Sequence, residues 1–352
     1  MNAKKILSLA ASTIKLFIII LLFTSNSKAV ENNIKYYSED KGILSLMYHR
    51  FNENKYPSTN IQMDIFKKQI KIIKELKYNF YDPKDLEENY HTPKIEKKIL
   101  ITIDDAFSSF YEVAWPYLKE KNIPFILFVS TQTVGKNGYM TWNQIKELEK
   151  ENIAYIGNHS HTHSYLVDIK NEDFIYDIDI SSSIFIDKLG YNPIFFSYPF
   201  GEYSALIKKY ISKNFKFSFG QHSGVIDINK DRYELPRFPI NEKYGDLKRF
   251  EFLINLQPLQ YEILYPLDKY LTSNNPPKFL VKFFNEQKNI DNINCFSDEG
   301  SKWKKSNIIL NKNILKLIFR QKFNFRRGRI NCSLNDNGIW RWFGVQFSIK
   351  QI

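Results

Sequence analysis

Five short apolar stretches, each running into polar or ionisable residues, constrain the fold of this chain more than any other feature. They are "GILSLMYHRF" (42–51), "KKILITIDD" (97–105), "IPFILFVS" (123–130), "IAYIGNHS" (153–160) and "PIFFSYPFG" (193–201). Between them lie stretches with helical spacing. "IQMDIFKKQIKIIKELK" (61–77) puts Ile65, Phe66, Ile70, Ile73 and Leu76 on one face and lysines on the other. "SFYEVAWPYLKEKN" (109–122) predicts a helix broken or kinked at Pro116. "TWNQIKELEKEN" (141–152) predicts a helix capped by Thr141, and "DFIYDIDISSSIFIDKLG" (173–190) one closed by Gly190. Short apolar strands alternating with helices imply parallel strands wrapped by helices, an α/β fold. Ligand chemistry in such folds gathers where the strands end.

The pattern changes beyond about residue 250. Pro and Asn cluster in "QPLQYEILYPLDKYLTSNNPPKFL", and short, alternating, aromatic-rich segments follow, among them "NINCFS", "RINCSL" and "WRWFGVQFSI". They predict a small β-rich domain at 280–352, with Trp340 and Trp342 on one strand face. The two cysteines of the chain, Cys295 and Cys332, both fall there. In an oxidising compartment such a pair reads as a disulfide, and otherwise as two buried thiols in neighbouring strands.

The N-terminus has the order of an export signal. Lys4 and Lys5 precede an apolar run, Leu16 to Phe23, and the small residues Ser27 and Ala29 follow. A cleaved signal over 1–29 is expected, with a retained membrane anchor as the alternative. The mature protein would then be periplasmic or extracellular, with peripheral contact to envelope or membrane open to it. The four lysines of residues 1–29, with no acids among them, leave +8 of the formal +12 charge to the rest. A cluster at "FRQKFNFRRGR" (319–329) reads as a solvated basic face. No nucleic-acid motif accompanies it, so no nucleic-acid partner is expected. Oligomeric state is not legible.

Two features carry chemistry. Asp104 and Asp105 stand side by side where a buried strand ends, although adjacent like charges repel. In "IGNHSHTH" (156–163), three of the six histidines of the chain fall within five residues, at His159, His161 and His163. Two imidazoles and a strand-end carboxylate make three ligands for a divalent metal, Zn or else Co or Ni, with positions left for water. The pair His159 with His161 competes with His159 and His163. The doublet can then divide its work, one Asp binding metal and the other acting as base towards a water acidified to a pKa of about 7. Capping of the following helix would explain the carboxylates but not the histidines.

"TIDDAF", "HSHTH" and "FSYPFG", in that order, resemble the motifs of the NodB-like polysaccharide deacetylases, carbohydrate esterase family 4, over roughly residues 42–245. The resemblance implies a distorted (β/α) barrel domain, assigned to 30–260, and hydrolysis of N-acetyl groups from an N-acetylglucosamine-containing polysaccharide. It implies Asp104 as catalytic base and Asp105, His159 and His163 as metal ligands. Pro199, Phe200 and Gly201 would line the substrate groove, with the Phe200 N–H at the oxyanion and Tyr198 beside them. Ala106 stands where the family usually has Gly. No histidine follows His222, so the late acid histidine of the family is missing. His49, at the end of the first strand, matches the circularly permuted, exported poly-N-acetylglucosamine deacetylase subgroup and is the expected general acid, with His222 as rival. The family Arg of the third motif is also missing, and Arg237 in "ELPRFPI" is its expected replacement, orienting Asp104 and keeping it ionised. Tyr139, Trp142, Tyr198 and Tyr203 flank the motifs as candidate sugar-stacking rings. Alternatives on the same site are peptidoglycan, an O-acyl or a formyl sugar as substrate. A non-catalytic glycan-binding protein is the alternative of another class; it would not need a base beside a metal.

Overall fold

A strand with two buried faces is largely apolar on both, and the strand β1, Ile43–Tyr48, is buried at every position, with Ser45 among its hydrophobic residues. A computed structural model describes residues 40–92 and 96–351; the expected signal at 1–29 lies outside them. After β1 come helix α1 (Met63–Glu75), β2 (Lys98–Asp104), α2 (Trp115–Glu120), β3 (Phe125–Val129), α3 (Trp142–Glu149), β4 (Ala154–Asn158) and α4 (Asn171–Leu189). Then follow β5 (Phe195–Ser197), α5 (Ala205–Asn214), β6 (Phe217–Phe219), β7 (Phe238–Pro239) and α6 (Leu247–Ile254). The strands hydrogen-bond in the order β7-β1-β2-β3-β4-β5-β6, all parallel. An isolated parallel bridge, Phe219 to Leu235, brings β6 against the lead into β7. The curled sheet is the expected distorted barrel.

Local signals in the sequence act as read. Thr141 Oγ1 accepts from the Gln144 N–H (3.3 Å) while Gln144 Oε1 accepts from the Thr141 N–H (2.7 Å), a reciprocal cap on α3. Gly190 ends α4 at φ 88°. The predicted break at Pro116 takes the form of a wide π-turn over Phe110–Ala114 that hands over to α2. Proline has no N–H to offer the turn before it.

The C-terminal part is a two-sheet sandwich. Its strands are β8 (Gln257–Pro258), β9 (Tyr261–Tyr265), β10 (Tyr270–Leu271), β11 (Phe279–Phe283), β12 (Asn294–Ser297), β13 (Lys304–Lys305), β14 (Asn307–Asn311), β15 (Ile314–Ile318), β16 (Arg327–Asp336) and β17 (Ile339–Ile349). One sheet runs β8-β17-β16-β12-β13, with β10 also on β17; the other runs β9-β11-β15-β14. Three of these strands, β8 to β10, lie ahead of residue 280. Phe279, Val281, Leu315 and Leu317 of one sheet meet Ile330, Cys332, Val345 and Phe347 of the other in a single apolar core. Cys295 and Cys332 are cross-strand partners and form a disulfide. Among the described residues no helix is long and apolar enough to cross a membrane.

The disulfide spans a sequence separation of 37 residues. Closing a loop of that size in the unfolded chain corresponds to about 3–4 kcal/mol of native stability. The variant Cys295→Ser/Cys332→Ser is therefore expected to show a clearly lower urea midpoint than the oxidised protein. An unchanged midpoint would mean that the sandwich core alone holds these strands.

Candidate active site

The ends of β1, β2, β4 and β5 converge, and the motifs come together there. Asp104, the last residue of β2, is fully buried. Arg237, just ahead of β7, is also fully buried and grips both its oxygens, Nη1 to Oδ1 at 2.6 Å and Nη2 to Oδ2 at 2.9 Å. The remaining guanidinium N–H groups donate to Gly220 O (2.9 Å), Thr102 Oγ1 (3.2 Å) and Ser197 Oγ (2.8 Å). All five donors are thus used. Burial alone would push the Asp104 carboxyl up, but Arg237, His159 and His49 outweigh it and hold the pKa at about 2. Asp104 is ionised throughout the physiological range.

Asp105 points elsewhere because the chain turns through left-handed backbone, φ 74° at Asp105 and 53° at Ala106. Its Oδ1 lies 3.3 Å from His163 Nε2 and 3.6 Å from His159 Nε2. The ligating atoms of Asp105, His159 and His163 all fall within 4.8 Å of one another. The fit to a metal is tested by His159 itself. Its Nδ1 is 2.7 Å from the Ser197 carbonyl, which can only accept, so Nδ1 carries the proton and Nε2 the lone pair. Nε2 is buried and has no hydrogen-bond partner. Burial pushes the imidazole down to about 4, against the pull of Asp104, so it stays neutral. A neutral, oriented and unpartnered imidazole nitrogen beside a carboxylate and a second imidazole is a donor set for a divalent cation.

The loop bearing the histidines is pinned from α4. Asp177 accepts from the N–H groups of His161 (2.8 Å) and Thr162 (2.9 Å). Asn158 Oδ1 accepts from the Ser160 N–H (2.8 Å) and Ser181 Oγ (3.0 Å). His161 is drawn off to Thr131 Oγ1 at 2.8 Å and lies outside the cluster of Asp105, His159 and His163. Asp177, Ser181 and Ser197 were missed in the sequence. Asp177 and Ser181 are one helical turn apart on the same stripe as Phe174, Ile178 and Phe185, and polar residues inside an apolar stripe were the available signal.

His49 Nε2 stands 4.0 Å from Asp104 Oδ2. His49, Asp105, His163, Phe200 and His222 share the wall of one cavity of about 790 Å³. Phe200 adopts φ 58°, its ring 4.6 Å from that of His163 and stacked at 4.0 Å on Tyr165. Gly201 is needed at φ 69°, because a Cβ there would come within 2.5 Å of the Gln221 nitrogen. Pro199 is buried under this turn. Tyr198 is a correction: its ring is fully buried between Phe196 and Tyr203, and its hydroxyl donates to Tyr233 O at 3.0 Å, so no sugar can stack on it. Tyr203 is core as well, and Trp142 packs edge-on against Phe185.

Comparison with known proteins agrees with this geometry. Residues 91–217 match the family model for polysaccharide deacetylases. The poly-β-1,6-N-acetyl-D-glucosamine N-deacetylase of Staphylococcus epidermidis is 23% identical over 245 residues, covering 61% of this chain and 85% of that protein. Two solved structures share the fold. The deacetylase PplD of Streptococcus pyogenes, in complex with acetate, has TM-score 0.55 at 22% identity over 60% of this chain and 98% of that one. IcaB of Ammonifex degensii has TM-score 0.54 at 22% identity over 61% and 97%.

Breaking the Asp104–Arg237 pair leaves a buried carboxylate uncompensated. Arg237→Met is expected to lower unfolding free energy by about 3–5 kcal/mol. Asp104→Asn/Arg237→Met should recover part of that loss in a double-mutant cycle, and strictly additive effects would show that the two side chains are uncoupled.

Proposed function

Because this chain carries a NodB-like polysaccharide deacetylase domain, we propose that it is a metal-dependent hydrolase of the N-acetyl groups of an N-acetylglucosamine-containing polysaccharide, acting after export. The observation that carries the reading is the divided carboxylate pair, one held by a buried Arg and the other turned into a two-histidine donor cluster. Asp105, His159 and His163 would hold the cation, which supplies a water acidified to a pKa of about 7 and polarises the acetyl carbonyl.

The residues around it have separate tasks. Asp104 takes the proton of the attacking water. Arg237 fixes the direction of its lone pairs and keeps it from being protonated before reaction. The Phe200 N–H, presented by the left-handed turn, supports the developing oxyanion. After water has added to the acetyl carbonyl, the C–N bond breaks, and His49, on the cavity wall, gives a proton to the departing amine, so that the acetyl group leaves as acetate. His222 shares that wall but is the weaker candidate acid, since burial pushes it down to about 4. In this reading the domain that does this ends near residue 255, and its β-rich companion begins at Gln257.

The test is acetate release from N-acetylglucosamine oligomers, β-1,4 and β-1,6 linked, by the mature protein. Release should stop with chelator and return with Zn²⁺, Co²⁺ or Ni²⁺. Asp104→Asn and His49→Ala should each lose about 10²–10⁴-fold in turnover while still binding one Zn²⁺ by titration. Release that survives chelation would overturn metal dependence. Near-wild-type turnover in His49→Ala would move the acid role to His222. Oligomer binding without release would favour a glycan-binding protein.

A further inference from the structure

The cavity that holds Asp105 and His163 has a second wall, which the deacetylase reading leaves unused. We infer that the exposed face of the six-stranded C-terminal sheet, carrying Trp303, Phe296 and Asn331, is a subsite for sugar units adjoining the reacting one, so that the enzyme acts on linear, uncharged N-acetylhexosamine chains in preference to short fragments. The inference rests on the deacetylase reading, whose site it extends.

Strand alternation makes the wall. Along β16, Gly328, Ile330 and Cys332 are buried while Arg327 and Arg329 are exposed and Asn331 is half-buried. The first set points into the sandwich and the second to the opposite face. Register continues that face across the sheet, pairing Phe296 with Asn331, Asn331 with Gly344, and Arg329 with Gln346. Phe296, Asn331, Arg329 and Gln346, with Trp303, line the same cavity as His49, Asp105 and His163.

The face is fixed against the site. Gln346 Nε2 donates to the carbonyls of Phe200 (3.0 Å) and Gly201 (3.1 Å). A Cβ on Gly344 would come within 2.2 Å of the Ser223 carbonyl, so the sheet can approach the His222 loop this closely only with Gly at that position. A wall that was mere support would close with packed side chains. Instead Phe296 and Trp303 are each 39% exposed, and the cavity of about 790 Å³ lies towards the upper end of the ~300–1,000 Å³ common for ligand clefts.

The chemistry of the wall selects among glycans. Flat apolar C–H faces of pyranose rings stack on indole and phenyl rings, and the Asn331 amide can serve hydroxyl or acetamido groups. Of the three arginines that line the cavity, Arg249, Arg327 and Arg329, the last two face acids. Arg329 Nε is 2.7 Å from Asp298 Oδ2, and Arg327 Nε is 3.8 Å from the buried Glu202 carboxylate. A polyanion would have to compete with these acids, whereas an uncharged acetylated chain does not.

The experiment compares β-1,6-linked N-acetylglucosamine dimer and hexamer in the wild type, Trp303→Ala, Trp303→Phe and Phe296→Ala. It reads acetate release, and hexamer binding by calorimetry, on proteins whose melting curves match. The wild type should prefer hexamer. In Trp303→Ala that preference should fall by about tenfold, equivalent to some 1.4 kcal/mol, mainly through KM, and Trp303→Phe should keep most of it. Wild-type preference in both alanine variants, or no preference in the wild type, overturns the inference. If the wild type releases no acetate from either oligomer, the deacetylase reading fails for this substrate and calorimetry alone decides. Hexamer affinity unchanged in Trp303→Ala, or no hexamer binding by the wild type, then overturns the subsite.

Discussion

The site depends on one buried ion pair. Taking a carboxylate and a guanidinium out of water costs several kcal/mol per ion, and attraction alone seldom recovers it. Here the cost is met by complete hydrogen bonding of Arg237, whose five donors reach Thr102 and Asp104 of β2, Ser197 of β5 and the Gly220 carbonyl just beyond β6. Phe128 of β3 lies under its plane, 5.3 Å from ring centre to guanidinium carbon. One side chain therefore ties together strands from separate parts of the curled sheet. Asp104 cannot rotate without breaking two bonds, and its free lone pairs face His49 and His159. The same Ser197 that accepts from Arg237 through its hydroxyl accepts from His159 through its carbonyl, so the carboxylate and the imidazole are set by a shared residue.

A second tie runs from the C-terminal sheet. The Arg326 guanidinium lies 3.4 Å over the Tyr165 ring, Tyr165 stacks on Phe200, and Phe200 meets His163. Arg326 also donates to Asp168 (2.6 Å) and to Glu202 (3.0 Å). This corrects the reading of "FRQKFNFRRGR" as a solvated basic face. Arg320 pairs with Glu299, Arg326 with Asp168 and Glu202, and Arg329 with Asp298. Glu202, Glu299 and Asp298 are buried, and burial pushes the Glu202 carboxyl up despite Arg326. Buried acids need counter-charges, and a basic run in the sequence supplied them, within the sandwich through Arg320 and Arg329 and across the join to the barrel through Arg326.

What was legible in the sequence was local. Alternation of apolar runs and helical stripes suffices for the parallel sheet, and the spacing of His159 and His163 brings both to one loop. Arg237 was readable only as a candidate, since nothing within "ELPRFPI" says what lies 133 residues earlier in the chain. Tyr198 was misread because an aromatic beside a groove motif and an aromatic in the layer beneath it look alike; strand alternation turns Phe196 and Tyr198 inward together, into one cluster with Tyr203. Gln346 was invisible for another reason. Its partners are the backbone carbonyls of Phe200 and Gly201, and contacts to backbone leave no residue type to match.

The adjacent carboxylates find their explanation in backbone conformation. Two acids at the end of an extended strand alternate sides, but alternation alone would leave Asp105 facing away from a site that Asp104 faces. The left-handed residues Asp105 and Ala106 turn the chain back, so that Asp104 faces Arg237 and Asp105 faces the histidines. Left-handed backbone costs non-glycine residues about 1–2 kcal/mol each, and a glycine at 106 would remove one such cost. The alanine is nonetheless buried, and its carbonyl accepts from the Met140 N–H at 2.9 Å, so the turn is held by the loop before α3. A methyl group there restricts the alternatives a glycine would allow. Strain at this turn is thus the means by which two like charges, adjacent in sequence, are separated into one that is gripped and one that is offered.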